Sequence, residues 1–185
     1  MKHNVKQICR HVALSGGVGG AKLVVGLNEV VAPEQLCIIA NTGDDFEHLG
    51  VHISPDLDTL MYSLASLANP DTGWGVTDET WDFMAALKEL GADTWFQIGD
   101  RDLATHVERT RLLDSGKSLS QATETLCKRL GIVTHIVPMT DSRVRTMLQT
   151  DDGLLEFQDY FVRQAAQPRI SGILYEGATS AEGSP

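Results

Sequence analysis

Val12-Ala13-Leu14-Ser15-Gly16-Gly17-Val18-Gly19-Gly20-Ala21-Lys22 is the stretch that decides the fold. Val12 to Leu14 is a short apolar run that reads as a strand. The glycines end it, and Ala21, Leu23, Val24, Leu27 and Val30 then recur at helical spacing until Pro33 stops the pattern. Leu36 to Ala40 (LCIIA) is a continuous apolar run of the kind that parallel sheets bury on both faces. Strand, helix and strand in this order make a βαβ unit with a right-handed crossover. The expected class is α/β: a Rossmann-like three-layer fold, mostly parallel sheet with helices on both faces.

Working outward, Asn41 to Asp58 is polar, punctuated by Gly and Pro, and too long for an idle connector. Helices are expected over 57–67, over 78–90 with Thr77 or Asp78 as cap, and over 102–113 with Asp100 as cap. Another is expected over 118–130, where Ser118 and Gln121 form a capping box and Gly131 ends the helix. Residues 132–138 read as a second buried strand and 170–175 as a last one. Residues 145–160 read as a β-hairpin near the C-terminus, turning at Asp151-Asp152-Gly153. Residues 176–185 are a small, polar, uncommitted tail, and 1–185 is taken as one domain.

The chain has 185 residues, with 15 Lys+Arg against 25 Asp+Glu and a net charge of −10; no basic stripe is available to displace counterions from nucleic acid. No apolar run approaches the roughly 20 residues that span a bilayer. The start, MKHNVKQICRHVALSGG, lacks the apolar stretch of a signal peptide, so the expected location is cytoplasmic, with no nucleic-acid or membrane partner. Cys9, Cys37 and Cys127 form no C-x-x-C pair, and Cys37 and Cys127 read as small buried hydrophobes.

The glycine loop is the first candidate site. Gly16, Gly17, Val18, Gly19 and Gly20 bring backbone N–H groups to a helix N-terminus, which attracts phosphate, and Lys22 lies in the first turn. Neither standard fingerprint is met. Ala21-Lys22-Leu23 departs from the P-loop order, and Lys22 stands where a dinucleotide loop needs Gly or Ala. The plain alternative is a tight strand-to-helix turn. The second candidate is Asp44-Asp45, just beyond the strand at Ala40, with Asp56 and Asp58 in Ser-Pro-Asp-Leu-Asp-Thr. Such carboxylates, at the carboxyl ends of sheet strands, suit Mg²⁺ shared with substrate phosphates, while capping would explain one of them. The third is Gly99-Asp-Arg-Asp-Leu-Ala-Thr-His106. Arg101 and Thr105 share a face, and His106 falls toward Leu103, Val107 and Thr110, either as a satisfied core histidine or as a functional one. His48 and His52 lack zinc-site spacing, and Trp74, Trp81 and Trp95 are packing or stacking candidates.

Taken in order, Ser15 to Lys22, Asn41-Thr-Gly-Asp-Asp45, Ser54-Pro-Asp-Leu-Asp-Thr59, Gly73-Trp-Gly75, Asp78-Glu-Thr-Trp81 and Gly99 to His106 resemble the 2-phospho-L-lactate transferase (CofD) family of coenzyme F-420 biosynthesis. The resemblance implies a Mg²⁺-dependent transferase. It would join the deazaflavin Fo to a phospholactyl-type group (lactyl, enolpyruvyl or glyceryl) carried on a guanosine diphosphate, with GMP released. On that footing the Gly16 to Lys22 loop cradles the diphosphate. Asp45 and Asp58 are the first choices for catalysis and for Mg²⁺, with Asp44 and Asp56 second. Asp58, Gln97, Arg101 and His106 would line the deazaflavin pocket. Family members are longer at their carboxyl end, and a homodimer is allowed. Two other readings stand beside this one: a non-catalytic nucleotide or nucleotide-sugar binding regulator of the YvcK-like type, and an inactive remnant.

Overall fold

The computed structural model describes residues 9–185; the first part of the amino-terminal stretch read above for a leader lies outside the described residues. The βαβ unit forms as expected: β1 (His11–Ser15), α1 (Gly17–Val30) and β2 (Leu36–Ala40). β5 (His135–Pro138) adds on the other side of β2, giving a parallel sheet in the order β1-β2-β5. Leu36, Ile38 and Ala40 point into the core that α1, α2 (Pro55–Leu64) and α5 (Leu119–Arg129) complete. Burial along β2 alternates, because Cys37 and Ile39 on the other face are only half-buried. Beside them, Val12 and Leu14 of β1 stand 60% and 77% exposed, so that face of the sheet is open at β1.

The Asn41 to Asp58 segment is not all loop. It holds a hairpin, β3 (Phe46–His48) and β4 (Val51–Ile53), turned by Leu49 and Gly50 at φ 53° and 75°. Two positive φ values make this the turn that matches strand twist, but Leu-Gly lacks the Asn-Gly signature that would have announced it. Phe46 and Ile53 seed a smaller second core with Met84 and Ile98.

The expected helix over 78–90 begins later, as α3 (Asp82–Glu89), because Asp78 sits at φ 53° and cannot cap it. The cap comes from Asp100, whose carboxylate accepts the N–H groups of Asp82 and Phe83 at 3.1 Å each and the Thr80 hydroxyl at 2.5 Å. Asp100 therefore does not cap its own helix, α4 (Asp100–Asp114). Glu79 does so, accepting from the N–H groups of Arg101 and Asp102 at 2.8 Å. Each helix has its end held by an acid beside the other. The capping box at Ser118 and Gln121 forms as read, and Asp141 adds a bond from the Ser120 N–H at 2.6 Å. The C-terminal hairpin is β6 (Arg145–Thr150) with β7 (Gly153–Glu156), and β8 (Ile170–Glu176) pairs on the far side of β6. No helix among the described residues is long and apolar enough to cross a membrane.

Candidate functional site

A cavity of about 800 Å³ opens beyond the carboxyl ends of β1 and β2, where open α/β sheets bind ligands. One end is polar and backbone-lined. Gly16, Gly17 and Val18 bring in the start of α1, Asn41 and Asp44 follow β2, and Asp56 stands in the first turn of α2. Asn41 organises this end: its Nδ2 donates to Asp44 Oδ2 at 3.2 Å and to Asp56 Oδ2 at 2.8 Å, and its Oδ1 accepts the Gly43 N–H at 3.0 Å. Asp56 Oδ1 in turn accepts the Gly17 N–H at 2.6 Å. Gly16 allows this close approach: a Cβ there would stand 3.2 Å from Asp56 Oδ2 and 3.4 Å from the Asn41 Cβ, and the carboxylate would have to give way by a few tenths of an ångström. Burial pushes the Asp44 carboxyl up and the charge of Asp56 pushes it further, with the Thr146 hydroxyl only partly offsetting both.

The opposite walls are aromatic. Trp95 and Phe96 belong to a cluster with Phe46 and His48, with Phe46 edge-on to Phe96 at 4.8 Å and His48 edge-on to Trp95 at 5.2 Å. Phe157 and Phe161, beyond β7, stack at 5.6 Å with 12° between planes. Trp74 lies 48% exposed between two glycines, and Gly73 presses against the Val18 side chain, which docks this loop on the glycine turn. Trp74, Trp95, Phe96, Phe157 and Phe161 thus make this part of the cavity wall aromatic.

The floor is a buried polar network between α2 and α4. Asp58 and Tyr62 face Asp102, His106 and Arg109, which recur on α4 at i, i+4 and i+7. Tyr62 donates its hydroxyl to Asp102 Oδ1 at 2.6 Å. Arg109 grips both Asp58 oxygens, NH1 to Oδ2 at 3.1 Å and NH2 to Oδ1. His106 lies between, with Nδ1 3.6 Å from Asp58 Oδ2 and Nε2 3.3 Å from Asp102 Oδ2. Burial works against the Asp102 carboxylate, yet His106, Tyr62 and Arg109 outweigh it and hold that carboxyl below its usual range. Burial and the charges of Asp58 and Asp102 push the Tyr62 phenol well up, so it remains a donor. Asp58, Asp102 and His106 are the one group among the described residues with metal-holding spacing, ligand atoms within 4.8 Å of one another. Arg109 already supplies a positive charge there, which favours a guanidinium-filled network over a metal.

The fold therefore brings together Asp44 with Asp56, and Asp58 with His106, but it does not bring Asp45 to Asp58 in the large cavity. Asp45 turns to the other side of its loop, 2% exposed, where Oδ2 accepts from Ser54 Oγ at 2.8 Å and meets His52 Nε2 at 3.2 Å. Gly16, Gly17, Val18, Asp44, Asp56, Asp58, Gln97 and His106 line the cavity; Gly19, Gly20, Lys22, Asp45 and Arg101 do not. Gly20 is required for packing instead, because a Cβ there would meet Ser15 Oγ at 2.4 Å. Lys22 is exposed on α1, and Arg101 is exposed with NH1 on the Thr77 carbonyl at 3.2 Å. The stripe expected beside His106 is displaced by one position. Val107 is 49% exposed, and the buried face runs through Asp102, His106, Arg109 and Leu112. Sequence reading missed Arg109 and Tyr62, although the i, i+4, i+7 recurrence of polar residues on α4 was a signal that could have found Arg109.

A family model described as 2-phospho-L-lactate transferase CofD matches residues 12–185. A "phosphoenolpyruvate transferase" from Kitasatospora aureofaciens is 43% identical over 182 residues, covering 95% of this chain and 57% of that protein. A "2-phospho-L-lactate transferase" from Methanopyrus kandleri is 41% identical over 177 residues, covering 95% and 56%. One from Methanosarcina mazei is 36% identical over 174 residues, covering 94% and 57%. The chain thus spans a little over half the length of these relatives. Among solved structures, a UPF0052-family protein from Bacillus halodurans shares the fold with a TM-score of 0.57 at 11% identity, covering 94% of this chain and 53% of that one.

Proposed function

The chain belongs to the 2-phospho-L-lactate transferase CofD family, and on that premise we propose that it takes part in moving a phospholactyl-type group, with lactate, enolpyruvate or glycerate as the three-carbon acid, from a guanosine-diphosphate-linked donor to the deazaflavin Fo. The observation that carries the reading is the continuity of one cavity. A carboxylate pair beside a helix N-terminus stands at one end, and an aromatic wall stands at the other. The deazaflavin ring lies against that wall, over the Tyr62–Asp102–His106 floor. Its ribityl chain points the 5′-hydroxyl at the polar end.

Asp44 and Asp56 are the residues that would hold Mg²⁺, in place of the first-choice pair Asp45 and Asp58. The fit rests on the mutual repulsion of two carboxylates that share one amide donor, an all-oxygen set short of positive charge. Bound Mg²⁺ supplies charge neutralisation for the donor's phosphates. The chain's own groups position. Asn41 fixes both carboxylates, Asp56 spends one oxygen on the Gly17 N–H, and the next N–H at the cavity wall, that of Val18, is left for a phosphate oxygen. The hydroxyl oxygen forms a bond to the outer phosphorus, the bond from that phosphorus to GMP breaks, GMP leaves with the electron pair, and the hydroxyl proton is released to solvent. Such a transfer depends on positioning and charge more than on a covalent nucleophile.

Incubating the protein with Fo, the guanylylated donor and Mg²⁺ tests this. A phosphodiester-linked deazaflavin by mass spectrometry supports the reading. Neither product nor Fo binding, alongside tight uridine-nucleotide binding, would favour a regulator instead.

A further inference from the structure

Among the described residues, helices cover the parallel sheet on one face alone. Strand register sorts its side chains into rows. Ala13, Ile38 and Ile136 lie side by side across β1, β2 and β5, and all three are buried in the core that α1, α2 and α5 complete. The other face carries two rows, Val12 with Cys37 and His135, then Leu14 with Ile39 and Val137. Five of these six side chains are apolar, and none belongs to that core. Val12, Leu14 and His135 are exposed, and Cys37, Ile39 and Val137 are half-buried. An antiparallel sheet often leaves one face to water, and its strands then alternate apolar with polar residues. Parallel sheets have both faces covered by helices, and their strands run apolar on both. β2, Leu36-Cys37-Ile38-Ile39-Ala40, is apolar throughout, the sequence of a strand with two covers.

The chemistry of the second cover follows from those rows. It must lay an apolar stripe across three strands, roughly 10 Å, and turn a polar side to water, which is what amphipathic helices do. The match covers 57% and 56% of the Kitasatospora and Methanopyrus relatives, and the rest of each is many helices long. A second copy of this chain fits less well. Its helices already spend their apolar stripes on their own sheet, and it would bring a second net charge of −10 against the first. We propose that the face carrying Val12, Leu14, Ile39 and Val137 is a docking surface for amphipathic helices from the part of the longer family members that lies outside the matched stretch. This docking is independent of the transfer reaction proposed above.

The part of the Kitasatospora aureofaciens relative outside the match, made as a separate polypeptide, is the probe. It is titrated into this chain carrying labelled Ile, Leu and Val methyl groups, followed by NMR. The expected result is saturable one-to-one binding, with methyl shifts at Val12, Leu14, Ile39 and Val137 well above those at Ile38 and Ile136 on the helix-covered face. Leu14 is mostly exposed, so Leu14→Ser should move the melting temperature of the chain alone by no more than about 2 °C. The same change should weaken association by about 10- to 100-fold, the worth of burying one leucine side chain. No association, shifts confined to other methyl groups, or undiminished affinity in Leu14→Ser would overturn the proposal. Concentration-dependent shifts of the same four residues in the chain alone, with a dimer by sedimentation, would assign the face to a second copy and overturn it as well.

Discussion

Asp44 and Asp56 take hydrogen bonds from one nitrogen, Asn41 Nδ2, at 3.2 and 2.8 Å, which sets two carboxylates against each other beside the first turn of α1. Asp44 bears the cost, its carboxyl pushed up by burial and by Asp56. Its charged form is therefore disfavoured by folding at neutral pH, and Asp44→Asn should raise the melting temperature in EDTA. The same change should abolish stabilisation by Mg²⁺ and lower any transfer rate by about 100-fold or more. Thermal melts with and without Mg²⁺ check this, and a variant still stabilised by Mg²⁺ would place the ion elsewhere.

Arg109 is fully buried and bound to both Asp58 oxygens. Removing one partner leaves the other charged and unpaired, so Arg109→Met should cost about 3–5 kcal/mol in urea unfolding. Replacing both, as Arg109→Met with Asp58→Leu, should recover much of that loss, because the desolvation of both charges disappears together.

Glu79 holds the start of α4 and Asp100 holds the start of α3. Glu79→Ala should cost about 1 kcal/mol, the usual loss for a helix cap. Hydrogen exchange should accelerate first at the Arg101 and Asp102 amides. Uniform acceleration along α4 would contradict a capping role.

Glu108 ties α4 to α5 through Arg111 on its own helix and Arg129 on the next. Bonds from Arg111 and then Arg129 lower its carboxyl from 4.5 to about 2. A depressed carboxylate stabilises above its unfolded value, and that contribution is lost as pH falls through the folded one. The stability difference between the protein and Glu108→Gln should therefore be constant above about pH 5 and shrink from there toward pH 2. Denaturant curves across that range measure it.

The βαβ unit was legible because its signals are local: an apolar strand, glycines, a helical period and Pro33. The capping box at Ser118 was legible for the same reason. Other features depend on residues far apart in the chain. Asp100 looked like a cap for its own helix, yet it reaches back to α3, and no spacing rule links it to Phe83. The β3–β4 hairpin was hidden by a Leu49-Gly50 turn, in which Leu49 takes a positive φ that leucine rarely adopts, while Phe46 and Ile53 on either side pack into the second core. At the site, the sequence marked four aspartates as two pairs but could not say which face of each pair points inward. Asp45 turned away to a histidine, Asp58 stayed at the cavity floor bound to an arginine, and Asp44 and Asp56 were left facing the cavity.

The most direct test of the account is a calorimetric titration of the protein with Fo, repeated on Phe96→Ala and Phe161→Ala. Saturable binding at one site is expected, weakened in each variant by about 1 kcal/mol or more through loss of ring contacts, together with quenching of tryptophan fluorescence. Binding of Fo that ignores both aromatic changes, or no binding of Fo at all, would contradict it.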